Sequence, residues 1–382
     1  MTTASNQPWS GLRVVERRGL CSAYATRMWA ALGAEVVVLE PPGGHPYRHL
    51  APYAPGTDAP EGSLWWAFLG QNKHSVVVEP GSAEEAAILA AADVVFDEPE
   101  PPVHPPVPAN DRQVVVAITP FGLHGPRANW RGSDLVAWAS SGLAYVTGFP
   151  DRPPVALSAL NFAANVTAMN AIGAAMVALY ARRMTGRGQV IDLSMQQANA
   201  ALLPEAGTGL VFDDGVHRAR SGNRRAVSRP FGLYPCKDGF ASIVIVQPAH
   251  WRRLAQWLFE ITGMDAVTDP AFDDLAVRWE AAEFIDGLTE ELTTTMTKQE
   301  LFVEGQRRDI PITPVNTVAD LGRDPHLEAA GFWKPGEHPV VGTYRSPGES
   351  FRAGEGWWQW SRAPLLGEHT ADVSARWASG GA

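Results

Sequence analysis

Residues 9–40 read WSGLRVVERRGLCSAYATRMWAALGAEVVVLE and contain a complete strand–helix–strand unit. Leu12 to Val15 is a short apolar run. Ala23 to Leu32 is alanine-rich with helical spacing, and Gly33 ends it, because glycine adopts the left-handed stop conformation without steric cost. Glu35 to Leu39 (EVVVL) is a β-branched run. The theme repeats downstream at His74 to Val78, Asp93 to Phe96 and Gln113 to Thr119, with a helical stretch at Ala83 to Ala92. Strands that alternate with helices pair in parallel, and near-continuous apolar strands need both faces covered. The expected fold class is therefore α/β, a doubly wound parallel sheet.

Further along, Val166, Met169, Gly173, Met176 and Tyr180 recur at three and four residues. This spacing predicts a long helix from Val166 to Arg183 with that row as its buried stripe. Gly186 suits its C-cap, Arg182 and Arg183 suit the negative end of its dipole, and Val190 to Met195 (VIDLSM) is the next strand. From Arg218 the texture changes. RARSGNRRAVSRPFG (218–232) is a basic loop, and LYPCKDGFASIVIV (233–246) reads as two strands joined at Lys237-Asp238-Gly239. Helical patterns follow at His250 to Phe259 and Ala281 to Leu292, so residues 225–320 form a second, smaller α+β domain. The joint Arg362-Ala363-Pro364 sends the C-terminal tail back toward the first domain. EPEPPVHPPVP (98–108) is a stiff connector.

The 382 residues are 45% hydrophobic and 19% charged, an ordinary globular balance, and their net charge of −10 argues against nucleic acid and anionic membrane as partners. A phosphate-bearing ligand would need a local basic patch. The two cysteines, Cys21 and Cys236, have neither disulfide-framework nor metal-ligand spacing. They are expected as free thiols in a cytoplasmic protein without a metal. The first residues lack the pattern of a signal peptide, and no run of about 18 apolar residues is seen that would span a membrane.

Eight ordered segments carry a resemblance: WSGLRVVE with YATRMWAALGAEVVVLEPPGG (9–16, 24–44), GQNKHSVVVE (70–79), AITPFGLHGPRANWRGSD (117–134), ALYARRMTGRGQVIDLSMQQA (178–198), YPCKDGF (234–240), DIPITPV (309–315), DPHLEAAGFW (324–333) and RAPLLGEHT (362–370). Over residues 10–375 the chain resembles the family III CoA-transferases (the CaiB/BaiF group), which include formyl-CoA transferases and α-methylacyl-CoA racemases. The resemblance implies a large Rossmann-like domain built from both chain ends (1–220 and 325–382), the smaller domain between, and an interlocked dimer. It also implies coenzyme A or acyl-CoA as substrate.

The resemblance further implies a catalytic aspartate at the start of the long helix, which attacks the thioester in a water-poor site. Counting back from Thr185-Gly186-Arg187-Gly188, that aspartate falls at Ala163 or Ala164. No carboxylate occurs from Arg152 to Met184. The polar candidates there are Asn161 and Asn165, the latter expected as the helix N-cap. The racemases' Gly-His-Asp segment reads Gly132-Ser133-Asp134 here, so Ser133 replaces the histidine. Asp134, Asp192 and Glu205 are the nearest carboxylates in sequence, and none is expected at the helix start. His124 is an exposed loop residue or, off the family's position, a functional one.

Where the resemblance implies a CoA-contacting loop with a basic residue, this chain has Asp97-Glu98-Pro99-Glu100-Pro101-Pro102. Arg48, Lys73 and Arg131 remain as phosphate contacts, each also readable as a solvated charge, together with Met195 near the cofactor. The tryptophan pairs Trp65-Trp66 and Trp357-Trp358 suit either core or an acyl pocket. Three readings follow: a CoA-transferase-like enzyme with an altered catalytic position; a repurposed isomerase, racemase, lyase or acyl-transfer enzyme; and a non-catalytic subunit pairing with an active paralogue. Both a homodimer and a heterodimer are open.

Overall fold

The computed structural model describes residues 6–157, 161–203, 219–225 and 228–378, which leaves Glu205 outside. The chain divides into two compact units, one of Met1–Leu143, Ala156–Thr208 and His326–Ala382, the other of Ala144–Val155 and Gly209–Pro325.

The first unit is built on β1 (Arg13–Arg17), β2 (Glu35–Glu40), β3 (His74–Val77), β4 (Val94–Asp97), β5 (Val114–Thr119) and β6 (Val190–Ser194). All neighbours are parallel, in the order β3-β2-β1-β4-β5-β6. The expected doubly wound sheet is present. Alternation along each strand sends Val15, Val37, Val95 and Val115 to one face, where they pack on Ile88 of α3 (Ala83–Ala91) and on Val373 and Trp377 of the C-terminal helix. Each fully buried aliphatic side chain of this kind stabilises the unit by about 1.5–3 kcal/mol. Helix α1 (Ser22–Ala31) lies between β1 and β2 in sequence, and the chain ending it turns at Gly33, φ +99°. The tail returns to this unit: Trp66 Nε1 donates to the Pro364 carbonyl (2.9 Å) and the Val77 amide to Thr370 Oγ1 (3.0 Å).

Short helices α2 (Leu64–Leu69), α4 (Asp134–Ser140) and α5 (Leu143–Val146) precede the long one. The long helix, α6, runs Phe162–Thr185 and ends at Gly186 in the left-handed conformation, φ +74°, with its amide on the Arg182 carbonyl (2.8 Å). It starts a turn earlier than the sequence reading placed it, so Asn165 lies inside the helix and Asn161 holds the N-cap position. The expected buried stripe is overturned as well. Ala163, Ala164, Thr167, Ala168, Ala171, Ala175 and Ala178 face inward, whereas Met169 and Tyr180 are 52% and 69% exposed. Small side chains let α6 approach α1 and β5 closely, and the bulky residues then have room only on the far side. The expectation of no membrane-length apolar segment also needs correction, since α6 is long and apolar enough by length and composition. Its alanine face belongs to the core of this unit. α7 (Met195–Ala200) follows β6.

The second unit has β7 (Phe231–Cys236), β8 (Gly239–Val244) and β9 (Ile312–Pro314) in one antiparallel sheet. β7 and β8 join at Lys237-Asp238, as the sequence indicated, with Cys236 opposite Gly239. Trp251, Leu254 and Trp257 from the helix Pro248–Thr262 form a core with Ile285, Leu292, Leu301 and Ile312. Part of the basic stretch 218–232 lies outside the described residues. Its Arg224 and Arg229 are neutralised locally, on Glu290 (2.6 Å) and Asp286 (2.8 Å).

Buried charge in the first unit is organised around Glu16, whose carboxylate takes Lys73 Nζ at 2.7 Å. Burial alone would raise the Glu16 pKa, but Lys73 and His45 bring it from 4.5 to about 2. A folded value below the ordinary one means stability that is present above pH 4.5 and lost as the pH falls toward 2. Glu16→Gln is therefore expected to destabilise the chain at pH 6. The gap to wild type in urea melts should shrink steadily below pH 4.5, and a gap independent of pH would show that this pairing does not hold.

Candidate active site

In the order β3-β2-β1-β4-β5-β6 the chain reverses direction across the sheet between β1 and β4, and loops leaving the carboxyl ends of those strands diverge. A cavity of about 280 Å³ opens there. Its wall comes from the ends of β1 (Arg18, Leu20, Cys21), β4 (Glu98–Pro101) and β5 (Ile118–Pro120), from Arg131–Asp134, from the start of α6 (Asn161, Ala164) and from Met195. At the low end of the ~300–1,000 Å³ typical of small-molecule sites, it has room for an acyl group and its thioester but not for a nucleotide.

Two carboxylates sit at two helix starts on this wall. Glu98 holds the first turn of α1: Oε1 accepts from the Ser22 amide (2.6 Å) and hydroxyl (2.9 Å), and Oε2 from the Leu20 amide (3.0 Å). Asp134 reaches from the first residue of α4 to α6, where its Oδ1 accepts from the Ala164 amide at 2.8 Å. Its Oδ2 is buried and has no hydrogen-bond partner among the described residues. Exposed amides at a helix start favour an anion, which compensates part of the cost of burial. Burial nevertheless raises both pKa values, against the opposing pull of those amides. Cys21 lies between them, and burial with the two nearby anions pushes its thiol well above the ordinary range.

The structure thus corrects one expectation directly. Asp134 stands 30 residues from Ala164 in sequence yet its carboxylate is at the start of the long helix. Ser133 caps α4 through the Val136 amide (3.4 Å) and lines the cavity. Asn161 also lines it, in a left-handed backbone conformation (φ +46°) that asparagine tolerates better than most residues. Ala163 faces the core at 0% exposure, and Ala164 faces the cavity at 4%. Asn165 is exposed and away from the cavity wall, and His124 is exposed in its loop. Asp192 is occupied by the Leu123 amide (2.9 Å).

Of the expected phosphate contacts, Arg48 and Lys73 are neither ligand groups nor solvated charges. Arg48 is fully buried against Glu40 (2.7 Å) and Glu61 (3.0 Å), and Lys73 against Glu16. Arg131 is exposed at the cavity mouth and has no anionic partner among the described residues. Arg18, which sequence reading passed over, also lines the cavity and pairs with Asp97 (3.0 Å). Its left-handed backbone (φ +62°) turns the chain out of β1; no pattern in the sequence marks such a residue. Met195 lines the cavity as well, whereas neither tryptophan pair does.

Carboxylate introduction separates the two alanines. Ala163→Asp would bury an uncompensated carboxylate beside the Asn199 amide, and is expected to cost about 3–5 kcal/mol in thermal or urea unfolding. Ala164→Asp points into the cavity and should fold. Neither variant is expected to raise CoA transfer above that of wild type, because the loop Asp97–Pro102 stays acidic. A variant that transfers CoA about ten-fold faster than wild type would refute this.

Fold and cavity define an α/β protein with a cavity at the crossover of a doubly wound parallel sheet. Residues 9–370 match CoA-transferase family III, and the chain belongs to that family. It is 30% identical to the BbsE subunit of succinyl-CoA:(R)-benzylsuccinate CoA-transferase of Thauera aromatica, over 96% of this chain and 93% of that one. Similarity to formyl-CoA:oxalate CoA-transferase of Escherichia coli is 29% identity over 96% and 94% of the two chains. A crystal structure of a CaiB/BaiF family protein from Brucella suis superposes with a TM-score of 0.83 at 24% identity, covering 97% of this chain and all of that one, and so shares the fold.

Proposed function

We propose that this chain acts in the transfer of CoA between carboxylic acids, with an acyl-CoA thioester as donor and the cavity beside β1 and β4 as the place of reaction. The observation that carries this reading is a small cavity whose wall holds two anchored carboxylates, in a chain of this family. Arg131 at its mouth is suited to an anionic part of a donor or acceptor. The exposed apolar face of α6 supports a dimer, since Met176, Val177, Tyr180 and Met184 otherwise leave a continuous apolar surface on one helix.

A second reading is favoured by Ala163 and Ala164 at the first turn of α6, where the family resemblance places an aspartate. Here the chain is one subunit of a paired enzyme whose other subunit carries the chemistry; the Thauera aromatica relative is itself a subunit. The experiment is a panel of acyl-CoA thioesters and free acids in deuterated buffer, read by mass spectrometry with purified protein. New CoA esters are expected. Deuterium gain alone would indicate α-proton chemistry on the same fold. Unchanged esters, with transfer only on adding a paralogue, would establish the subunit reading.

A further inference from the structure

We infer that the nucleotide end of a CoA donor docks outside the cavity, on the loop that follows β5. There Trp130 stacks on the adenine, and Arg127 and Arg131 take the phosphates. This rests on the reading of the chain as a CoA-transferase. The cavity has room for an acyl group and its thioester but not for a nucleotide, so the adenosine and its phosphates lie on one rim or another.

The rims differ in charge. The one that continues β4 carries Glu98 and Glu100, and Glu100 is exposed without a cationic partner among the described residues. Arg18, on the neighbouring end of β1, is already paired with Asp97 (3.0 Å). A nucleotide with a diphosphate and a phosphate monoester would meet like charge there, at distances too short for salt to screen. The loop after β5 is the reverse. Arg127 and Arg131 are both exposed, and neither has an anionic partner among the described residues. In a chain of net charge −10, two unpaired guanidinium groups within five residues, one of them at the cavity mouth, make the local basic patch that a phosphate-bearing ligand requires.

Between them in sequence stands Trp130, 56% exposed, with the Arg127 guanidinium 5.3 Å from its ring centroid and Phe121 edge-on at 6.2 Å. An indole beside a guanidinium is a platform for any base, since every base offers a π face. The loop is built rather than loose. The Val103 amide donates to Asn129 Oδ1 (2.8 Å), the Trp130 amide donates to the Arg127 carbonyl (2.9 Å), and Leu123 packs with Val103 and Ala117. Gly132 closes the loop back on the strand end, where an added Cβ would lie 2.4 Å from Pro120 Cβ. Platform and cations are therefore held in place before the ligand arrives, which lowers the ordering cost of binding. The arginine fork matches phosphate oxygens, and the pantetheine arm leads from this rim past Arg131 into the cavity.

The test has two arms. In the first, wild type is photolysed with a CoA analogue that carries an azido group on its adenine, and its peptides are mapped by mass spectrometry. Label is expected within residues 121–133. In the second, CoA binding is followed by isothermal titration calorimetry. Trp130→Ala and Arg127→Ala are each expected to weaken it about ten-fold, with Trp130→Phe recovering most of the first loss. The affinity for S-acetylpantetheine, which lacks the nucleotide, should stay unchanged in all three. The substituted side chains are exposed, so the variants should fold, and the photolysis arm needs none of them. Label on residues 97–108, or CoA binding unaltered in the Trp130→Ala, Arg127→Ala double variant, overturns this docking alone. An equal loss for CoA and S-acetylpantetheine does the same, because it places the damage in the cavity. Wild type that binds no CoA overturns the functional reading and this docking together.

Discussion

Arg48→Met is expected to lower the stability of the α/β unit by about 3–5 kcal/mol, because it leaves the charge of Glu40 buried without its partner. Both side chains are out of solvent. The guanidinium donates to both Glu40 oxygens (2.7 and 2.9 Å), to Glu61 (3.0 Å) and to the Pro364 carbonyl (3.2 Å), and stacks 4.0 Å from the Trp66 ring. It therefore joins the β2–β3 edge to the returning tail. The cost belongs mainly to the abandoned carboxylate rather than to lost attraction. The double variant Arg48→Met, Glu40→Gln should then recover a large part of the loss, since the Gln carbonyl oxygen can still accept from the His45 amide (2.7 Å) while its NH2 donates to the Ser75 hydroxyl, which can turn to accept. Urea melts of the two variants decide it. A double variant no more stable than the single one would mean that packing of Arg48, not charge, is what the site needs.

That a turn written Glu40-Pro41-Pro42 followed by Arg48 hides a buried ion pair was not legible in the sequence. Proximity to a turn makes an arginine look solvated, and only the return of Pro364 over the same edge buries it. The sheet, by contrast, was legible. Runs such as EVVVL and QVVVAIT are too apolar for a one-sided strand, and the intervening helices leave only parallel pairing. α6 shows where periodicity misleads. Its bulky residues recur with helical spacing, but so do its alanines, and close packing on α1 selects the smaller set for the interior.

The site was legible in its parts and not in its assembly. Ser133, Asp134, Asn161, Ala164, Arg131 and Met195 were all read as candidates, and all six line one cavity. The relation between Asp134 and α6 is a hydrogen bond across 30 residues, and spacing along the chain carries no trace of it. Glu98 was read as part of a stiff acidic connector, whereas its carboxylate holds the first turn of α1. Both cases have one cause. A helix start is a demand for acceptors, and a folded chain can meet it with a side chain from anywhere that the topology brings near.

The outer face of α6 yields the other large effect. Val177→Glu with Tyr180→Glu is expected to convert a dimer into single chains at micromolar concentration, as measured by light scattering. Val177 and Tyr180 are each 69% exposed and lie on the side opposite the alanine row, so neither substitution disturbs the core. In an assembly that covers this face, each glutamate would be desolvated without a cation. Even about 3 kcal/mol of that penalty weakens association more than a hundred-fold. Unfolding of the isolated variant should begin at lower denaturant than in wild type, since a bound partner adds stability by mass action. Wild type that scatters as a single chain at the same concentration would sink the proposal for a homodimer. Recovery of a dimer on adding a paralogue, abolished again by the two glutamates, would place the same face in a heterodimer. The paired-enzyme reading would then gain the support that the homodimer loses.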